Sequence, residues 1–395
     1  MSNWRENYSV LVTDAHTVGS IATIRSLGSA GYRVIGCSPQ ADALGFYSRY
    51  CHEARVQPSL EDRQVFDAWL DELVADEHVR LIIPSESFLL AVRPRFGEMS
   101  ALLPVPRDEN IAYSALSKWD LFKACINGGL TKHLPPFRLM DEHDEQPTAD
   151  QLRGLGEPLF LKVDGTYARD DSNGTVIRCE TLGIAVEKLK SVREHYRRVL
   201  VQGHVPGVGV GAFLAHWRGN LLGMFMHRRI HEVPHTGGAS SFRGAWRHPG
   251  IIADAHARAV LLRWEGVGMF EYRWNPVNDR FYLMEFNSRF WRSLHLALFA
   301  GVDFPRLLAD AFFDHPNPPV TDYSLVRCRL TFPTEVEYVA SCLRDSSLPW
   351  SRRLWPIAEF AALGLDPTVY SDLSYRGDRA LYWRMMIRSI RRFLA

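Results

Sequence analysis

Two rhythms of apolar positions alternate along the first hundred residues. "YSVLVTDA" is a short β-rich run closing in turn residues, and "TVGSIATIRSLGSAGY" spaces its apolar positions as a helix stopped at Gly31. "RVIGCS" returns to strand, "LEDRQVFDAWLDELVADE" to helix and "VRLIIPS" to strand. Strand–helix–strand units at this pitch predict a doubly wound parallel sheet over residues 1–110. Its ligand edge carries Asp14 and Ser85–Ser87. No GxGxxG follows the first strand, only Gly19 at the helix start, which argues against a dinucleotide site.

Residues 111–205 change character. A helix over "SALSKWDLFKACINGG", with Ser117 as a candidate cap, is broken by Pro135 and Pro136 ahead of a strand, "FRLM". The acidic stretch 141–150 reads as an exposed loop. In "EPLFLKVDGTYARDDSNGTVIRC" a strand carries Lys162 near its end, and a loop bracketed by Gly165 and Gly174 follows. Such a loop offers backbone N–H groups to phosphate oxygens, and it equally fits a plain hairpin. A helix over 183–198 leads to the strand "RVLVQGHVPGV".

Residues 206–315 open with two strands joined at Arg218–Gly219–Asn220, then a glycine-rich loop, "HEVPHTGGASS", and a helix over 250–265. "VGMFEYRWNPVNDRFYLMEFNSRF" reads as two strands turning at Asn275–Asp279. Folding that hairpin brings Glu271 beside Glu285 and Asn287, because alternate strand residues share a face.

Residues 316–395 read as a small appendage with some β-like text, ending in a helix from Asp378. On that helix Arg384, Arg388, Arg391 and Arg392 occupy one sector, and apolar residues including Leu381, Trp383, Met385, Ile387, Ile390, Phe393 and Leu394 much of the rest. Packing on the protein's own core is favoured over a subunit contact, as in a homodimer, or attachment to an anionic membrane surface.

Composition narrows the function classes. The chain has 395 residues, too many for one core. Lys+Arg 46 against Asp+Glu 45 leaves no global field for nucleic acid. The six cysteines, Cys37, Cys51, Cys125, Cys179, Cys328 and Cys342, form no CxxC pair and fit reduced thiols. The opening MSNWRENYS has no apolar core for export, and no apolar run reaches the ~18 residues of a membrane span. The expected compartment is the cytoplasm.

The candidate chemistry lies in the second and third parts. Two carboxylates and an amide oxygen at one place suit Mg²⁺, with Mn²⁺ as a substitute. Structural ion pairs of Glu271 with Arg273 or Arg289 explain the same residues. Lys162, the Gly165–Gly174 loop, Arg229 and the Gly237–Gly238 loop favour a polyphosphate site instead: lysine for charge, metal to bridge phosphates and backbone N–H groups to cover them. The histidines of "HRRIHEVPH" (His227, His231, His235) lie on strand text, so a metal tract is disfavoured and ordinary surface histidines are expected, although His231 or His235 could reach a substrate carboxylate.

These motifs, in this order, resemble the ATP-grasp superfamily, in its branch of carboxylate–amine ligases whose architecture is shared with carbamoyl phosphate synthase. The resemblance covers about residues 8–312 and rests on "SKWDLFKA", "PLFLKVDG", "VQGHVPG", "HRRIHEVPHTGGASS", "GMFEYRWNP" and, most specifically, "LMEFNSRFWRSLHLALFAGVDFP". It implies α/β and α+β architecture: the N-terminal domain (1–110), a two-lobed ATP-grasp fold (111–205 and 206–315) and the C-terminal helical appendage. It implies Lys118 and Lys162 on ATP phosphates, and a hinge at Gln202, Gly203 and Val205 on adenine. Glu271, Glu285 and Asn287 are implied on Mg²⁺, and Arg289 on phosphate oxygens or an acyl phosphate. Arg229, Thr236, Gly237, Gly238, Ser240 and Arg292 are implied at the carboxylate being activated. The chain departs from the family at Gly203, where an acid is common, and at Val208 and Gly209, where a ribose-gripping acid is usual. The implied activity is an ADP-forming ligase joining a small carboxylic acid to an amine. The alternatives are an enzyme with a thiol or other acceptor, and a non-catalytic nucleotide-binding scaffold.

Overall fold

The structure, a computed structural model, describes residues 3–170 and 173–394, with side chains as far as Arg391. Four short strands, β1 (Ser9–Val12), β2 (Arg33–Ser38), β3 (Glu53–Val56) and β4 (Val79–Ile83), form a parallel sheet in the order β3-β2-β1-β4. The helix Val18–Ala30 is capped at its start by the Thr17 hydroxyl, which accepts from Ser20 N, and closed by Gly31 at φ 104°. That angle favours a residue with no Cβ. The parallel sheet, the helix Val18–Ala30 and a helix Arg63–Asp76 account for the apolar rhythms of the first hundred residues.

The second sheet is antiparallel, with β5 (Phe137–Met140), β6 (Leu159–Val163), β7 (Thr175–Cys179) and β8 (Val199–Gly203) in the order β5-β8-β6-β7. The helix Leu182–His195 buries Ala185, Leu189 and Val192 against it. The third sheet holds seven strands: β9 (Val208–Trp217), β10 (Asn220–Val233), β11 (Ala239–Ala245), β12 (Gly266–Trp274), β13 (Phe281–Asn287), β14 (Arg327–Arg329) and β15 (Val369–Ser371), ordered β13-β12-β9-β10-β11-β14-β15. Its last two strands come from the C-terminal segment, which therefore extends the sheet that carries Glu271 and Glu285.

One apolar cluster runs from Leu11 and Ile35 of the first sheet through Leu121 and Phe122 to Phe270, Leu283 and Phe286 of the third. The C-terminal residues also reach back to the N-terminal sheet. Arg25, fully buried on the first long helix, donates to Asp378 Oδ2 at 2.9 Å and to the carbonyls of Asp372, Leu373 and Asp378. Arg243 of β11 pairs with buried Asp372. The final helix, Ala380–Leu394, buries Leu381, sets Arg384 over the Tyr47 ring at 3.9 Å and pairs Arg388 with Asp42 at 2.6 Å. Trp383, Ile387 and Ile390 stay about half exposed. The side chains of Arg392, Phe393 and Leu394 lie outside the described residues. No helix among the described residues is long and apolar enough to cross a membrane. All six cysteines are free.

Candidate active site

The β12–β13 hairpin sets Glu271 directly opposite Glu285, and Met269 opposite Asn287. Asn287 Nδ2 lies 3.4 Å from Glu271 Oε1 and 3.2 Å from Glu285 Oε1, so all three polar ends meet at one point. Burial pushes the Glu271 carboxyl up, against the pull of Arg229, while the Glu285 charge pushes it further. Burial acts the same way on Glu285, yet Lys118 and then Lys162 outweigh it and hold that carboxyl below its ordinary value. Two carboxylates facing each other are costly without a cation. With the Asn287 amide turned to present its oxygen, the set offers three hard oxygen donors, which fits Mg²⁺.

Both lysines come from residues 111–205, ahead of the third sheet in the chain. Lys118 opens the helix Lys118–Asn127, for which Ser117 is the cap. Its Nζ stands 3.4 Å from Asp164 Oδ1 and 3.6 Å from Glu285 Oε2. Asp164 also accepts from Lys118 N at 2.8 Å and Ser117 Oγ at 3.1 Å, so one carboxylate fixes both the helix start and the lysine. Lys162, near the end of β6, reaches across to the Met284 carbonyl of β13 at 3.3 Å. Burial lowers its pKa to about 8, with Lys118 adding to the drop and Glu285 opposing it. A desolvated ammonium of this kind gains by meeting an anion. Past it, Gly174 packs so closely on β6 that an added Cβ would lie 2.9 Å from the Val163 carbonyl. Of the loop between Gly165 and Gly174, residues 171 and 172 lie outside the described residues.

The stretch expected to form the hinge comprises the end of β8 and the residues up to Val205. Gln202 is buried, its Nε2 3.5 Å from Met284 Sδ and its Oε1 buried with no partner among the described residues. Gly203 is sterically required, since a Cβ there would collide with the Leu155 carbonyl. Its N–H donates to Pro136 O at 2.9 Å and so is engaged, while Val205 is buried.

Arg229 on β10 forms ion pairs with Glu271 and with Glu232, the latter at 3.1 Å, and donates to Gly238 O at 3.0 Å. It thereby ties the glycine loop to the carboxylate pair. A cavity of about 200 Å³ collects Arg229, Ser240, Glu271, Glu285, Asn287, Arg289 and Arg292. Thr236 is exposed and does not line this cavity, and neither do Gly237 and Gly238. Arg289 donates to Glu86 Oε2 of the first domain at 3.3 Å, and Arg292 to Thr334 Oγ1 at 2.6 Å.

The histidines differ from the surface reading. His227 and His231 are buried, and His231 bonds Glu335 at 2.6 Å and stacks on Tyr338 at 4.1 Å. His235 is held by Ser341 and Asp345. Sequence reasoning also missed Asp164 and the pairing of Glu86 with Arg289. Asp164 stands between a strand end and Gly165, where it reads as a turn residue, and the partner of Glu86 is 203 residues away.

No family model matches the chain, and no curated protein sequence matches it. Solved structures do. A biotin carboxylase from Campylobacter jejuni, crystallised as a β-γ-ATP complex, superposes with a TM-score of 0.61 at 13% identity, covering 78% of this chain and 72% of that one. An N5-carboxyaminoimidazole synthetase from Staphylococcus aureus gives 0.60 at 14%, covering 80% of each chain. An L-amino acid ligase from Bacillus licheniformis gives 0.56 at 13%, covering 78% and 74%. The chain therefore has the ATP-grasp fold that its motifs resemble.

Proposed function

We propose that this protein is an ATP-dependent, ADP-forming ligase that activates a small carboxylic acid and joins it to an amine. The observation that carries the reading is the meeting of Lys118 and Lys162 from one lobe with the Glu271–Glu285–Asn287 set from the other. Like-charged carboxylates, buried Lys162 and part-buried Lys118 converge on one cleft, which is the charge pattern a metal-bound polyphosphate satisfies. The unpartnered Gln202 Oε1 adds a buried acceptor at the hinge, suited to an amino-bearing base.

Glu271, Glu285 and Asn287 would hold Mg²⁺, which when bound supplies positive charge to phosphate oxygens. Lys118 and Lys162 bind and orient the phosphates from the lobe of residues 111–205. Arg229 and Arg289 border the cavity that takes the acid. An oxygen of the substrate carboxylate attacks the γ-phosphorus, the bond to the β-phosphate oxygen breaks, and ADP and an acyl phosphate result. The amine then attacks the acyl carbon, phosphate leaves, and the amine gives up a proton. The Arg229–Gly238 hydrogen bond holds the glycine loop near the acyl group, where excluding water prevents hydrolysis. In this reading the protein is cytoplasmic and its partners are small molecules. ADP release scored over acid–amine pairs, with hydroxylamine as a trap, tests it. Hydroxamate formation that requires both ATP and an acid is expected. ATP binding without any hydroxamate would leave a nucleotide-binding scaffold.

A further inference from the structure

A second and larger cleft adjoins the cavity of the carboxylate pair and shares Arg289 and Arg292 with it. It holds about 700 Å³ and is walled on the far side by the carboxyl edge of the first sheet. That is the place where open parallel sheets take ligands. Its two sides carry opposite charge. Arg292 is exposed to the cleft, hydrogen-bonds only the Thr334 hydroxyl, and pairs with no carboxylate among the described residues. Arg289 stands beside it, shared with Glu86 at 3.3 Å. Across the cleft, Asp14 meets only Ser87 Oγ, at 3.4 Å, and no lysine or arginine pairs with it among the described residues. Ser87 Oγ is in turn 3.1 Å from Ser85 Oγ. Asp14 is held at φ 50° just after β1, its carbonyl accepting from Thr17 N at 2.8 Å. Non-glycine residues in this conformation are uncommon, and Asp is among those that adopt it most readily.

We infer that the acid partner is an amino acid bound as its zwitterion, with its carboxylate on Arg292 and Arg289 and its ammonium on Asp14 among the Ser85 and Ser87 hydroxyls. The inference rests on the ligase reading for the direction of chemistry. An ammonium kept protonated by Asp14 has no lone pair with which to attack, so this molecule enters as the acid. Its carboxylate end lies toward the carboxylate pair and the lysines, where phosphoryl transfer would occur, and the remaining volume is free for a side chain.

The test is calorimetric titration of the full chain, without nucleotide, with the twenty standard L-amino acids and β-alanine, each compared with its deamino acid. At least one amino acid should bind about tenfold to a hundredfold more tightly than its deamino counterpart, the usual worth of one charge-assisted hydrogen bond. Asp14→Asn should erase that ratio, because asparagine accepts the same left-handed backbone without the charge. Arg292→Gln should weaken both compounds alike. Equal affinity of amino and deamino acids, no amino-acid binding, or a ratio that survives Asp14→Asn would overturn the inference. If the Asp14 variant loses its fold, the wild-type ratio decides alone. Failure to bind ATP would strike the ligase reading and leave amino-acid binding standing.

Discussion

Glu271 and Glu285 face each other across the β12–β13 pairing, with the Asn287 amide 3.4 and 3.2 Å from their oxygens. A pair of carboxylates so placed needs positive charge beside it, which Arg229 and Lys118 supply from the protein and to which a metal ion would add. Glu285→Gln removes one charge while keeping the size and the hydrogen bond to Asn287. We expect it nearly to abolish ADP release at saturating Mg²⁺ while the far-ultraviolet circular dichroism stays native. Near-normal turnover would refute the metal assignment.

Lys162 sits where a phosphate would compensate its desolvation. Lys162→Ala should slow phosphoryl transfer by roughly 10²–10³, the usual scale for one preorganised charge donor. Single-turnover rates at saturating ATP give the number. A variant that raises only the apparent KM for the amine would place Lys162 outside the phosphate site.

Truncation after Gly377 removes Asp378, the carboxylate of the buried Arg25 pair. Leaving a buried guanidinium without its partner costs about 3–5 kcal/mol. A clear fall in the urea midpoint is therefore expected, both for the truncated chain and for Asp378→Asn. Equal stability of both would show that the pair does not hold the segment. Because Arg384 and Arg388 are engaged with Tyr47 and Asp42, full-length protein should remain in the supernatant with anionic vesicles at low salt. Pelleting would show that the helix serves a membrane.

Acid should weaken the fold through two buried histidines. Burial lowers the His295 pKa to about 3, with Arg25 adding to it, and Arg25 Nη1 lies 3.0 Å from His295 Nε2. Burial likewise lowers His216 to about 4. Both are neutral when folded and ordinary when unfolded. Their stabilising effect is whole above about pH 6.5 and is lost as pH falls toward those values, at up to about 1.4 kcal/mol per pH unit for each. Urea midpoints taken from pH 7 to pH 5 should show the decline, and His295→Gln should make it shallower. An unchanged slope in His295→Gln would exclude that residue.

The elements with a strong period were legible: strands β1, β2 and β4, the helices Val18–Ala30, Arg63–Asp76, Lys118–Asn127 and Leu182–His195 and the Asn275–Asp279 turn follow from apolar spacing and turn residues, whereas the helices Val336–Arg344 and Trp350–Leu365 were not read. Strand β3 was not, since its short Glu53–Val56 run alternates charge with small residues at a sheet edge. The convergence of Glu271, Glu285 and Asn287 could be read because a hairpin is local. Asp164 with Lys118, and Glu86 with Arg289, could not, because tertiary packing joins residues 46 and 203 positions apart. The burial of His231 was hidden for the same reason: its partners Glu335 and Tyr338 belong to the C-terminal segment, where the motifs fall silent.

The Arg25–Asp378 pair also sets a timetable. The guanidinium belongs to the helix Val18–Ala30, and its carboxylate is made 353 residues later. At ~5–20 residues per second that is roughly 20–70 s of synthesis before the native partner of Arg25 exists. Until Asp378 has been made, the Arg25 guanidinium can only face water. A chain that stops before Asp378 would lack the carboxylate that the Arg25 guanidinium meets in the fold.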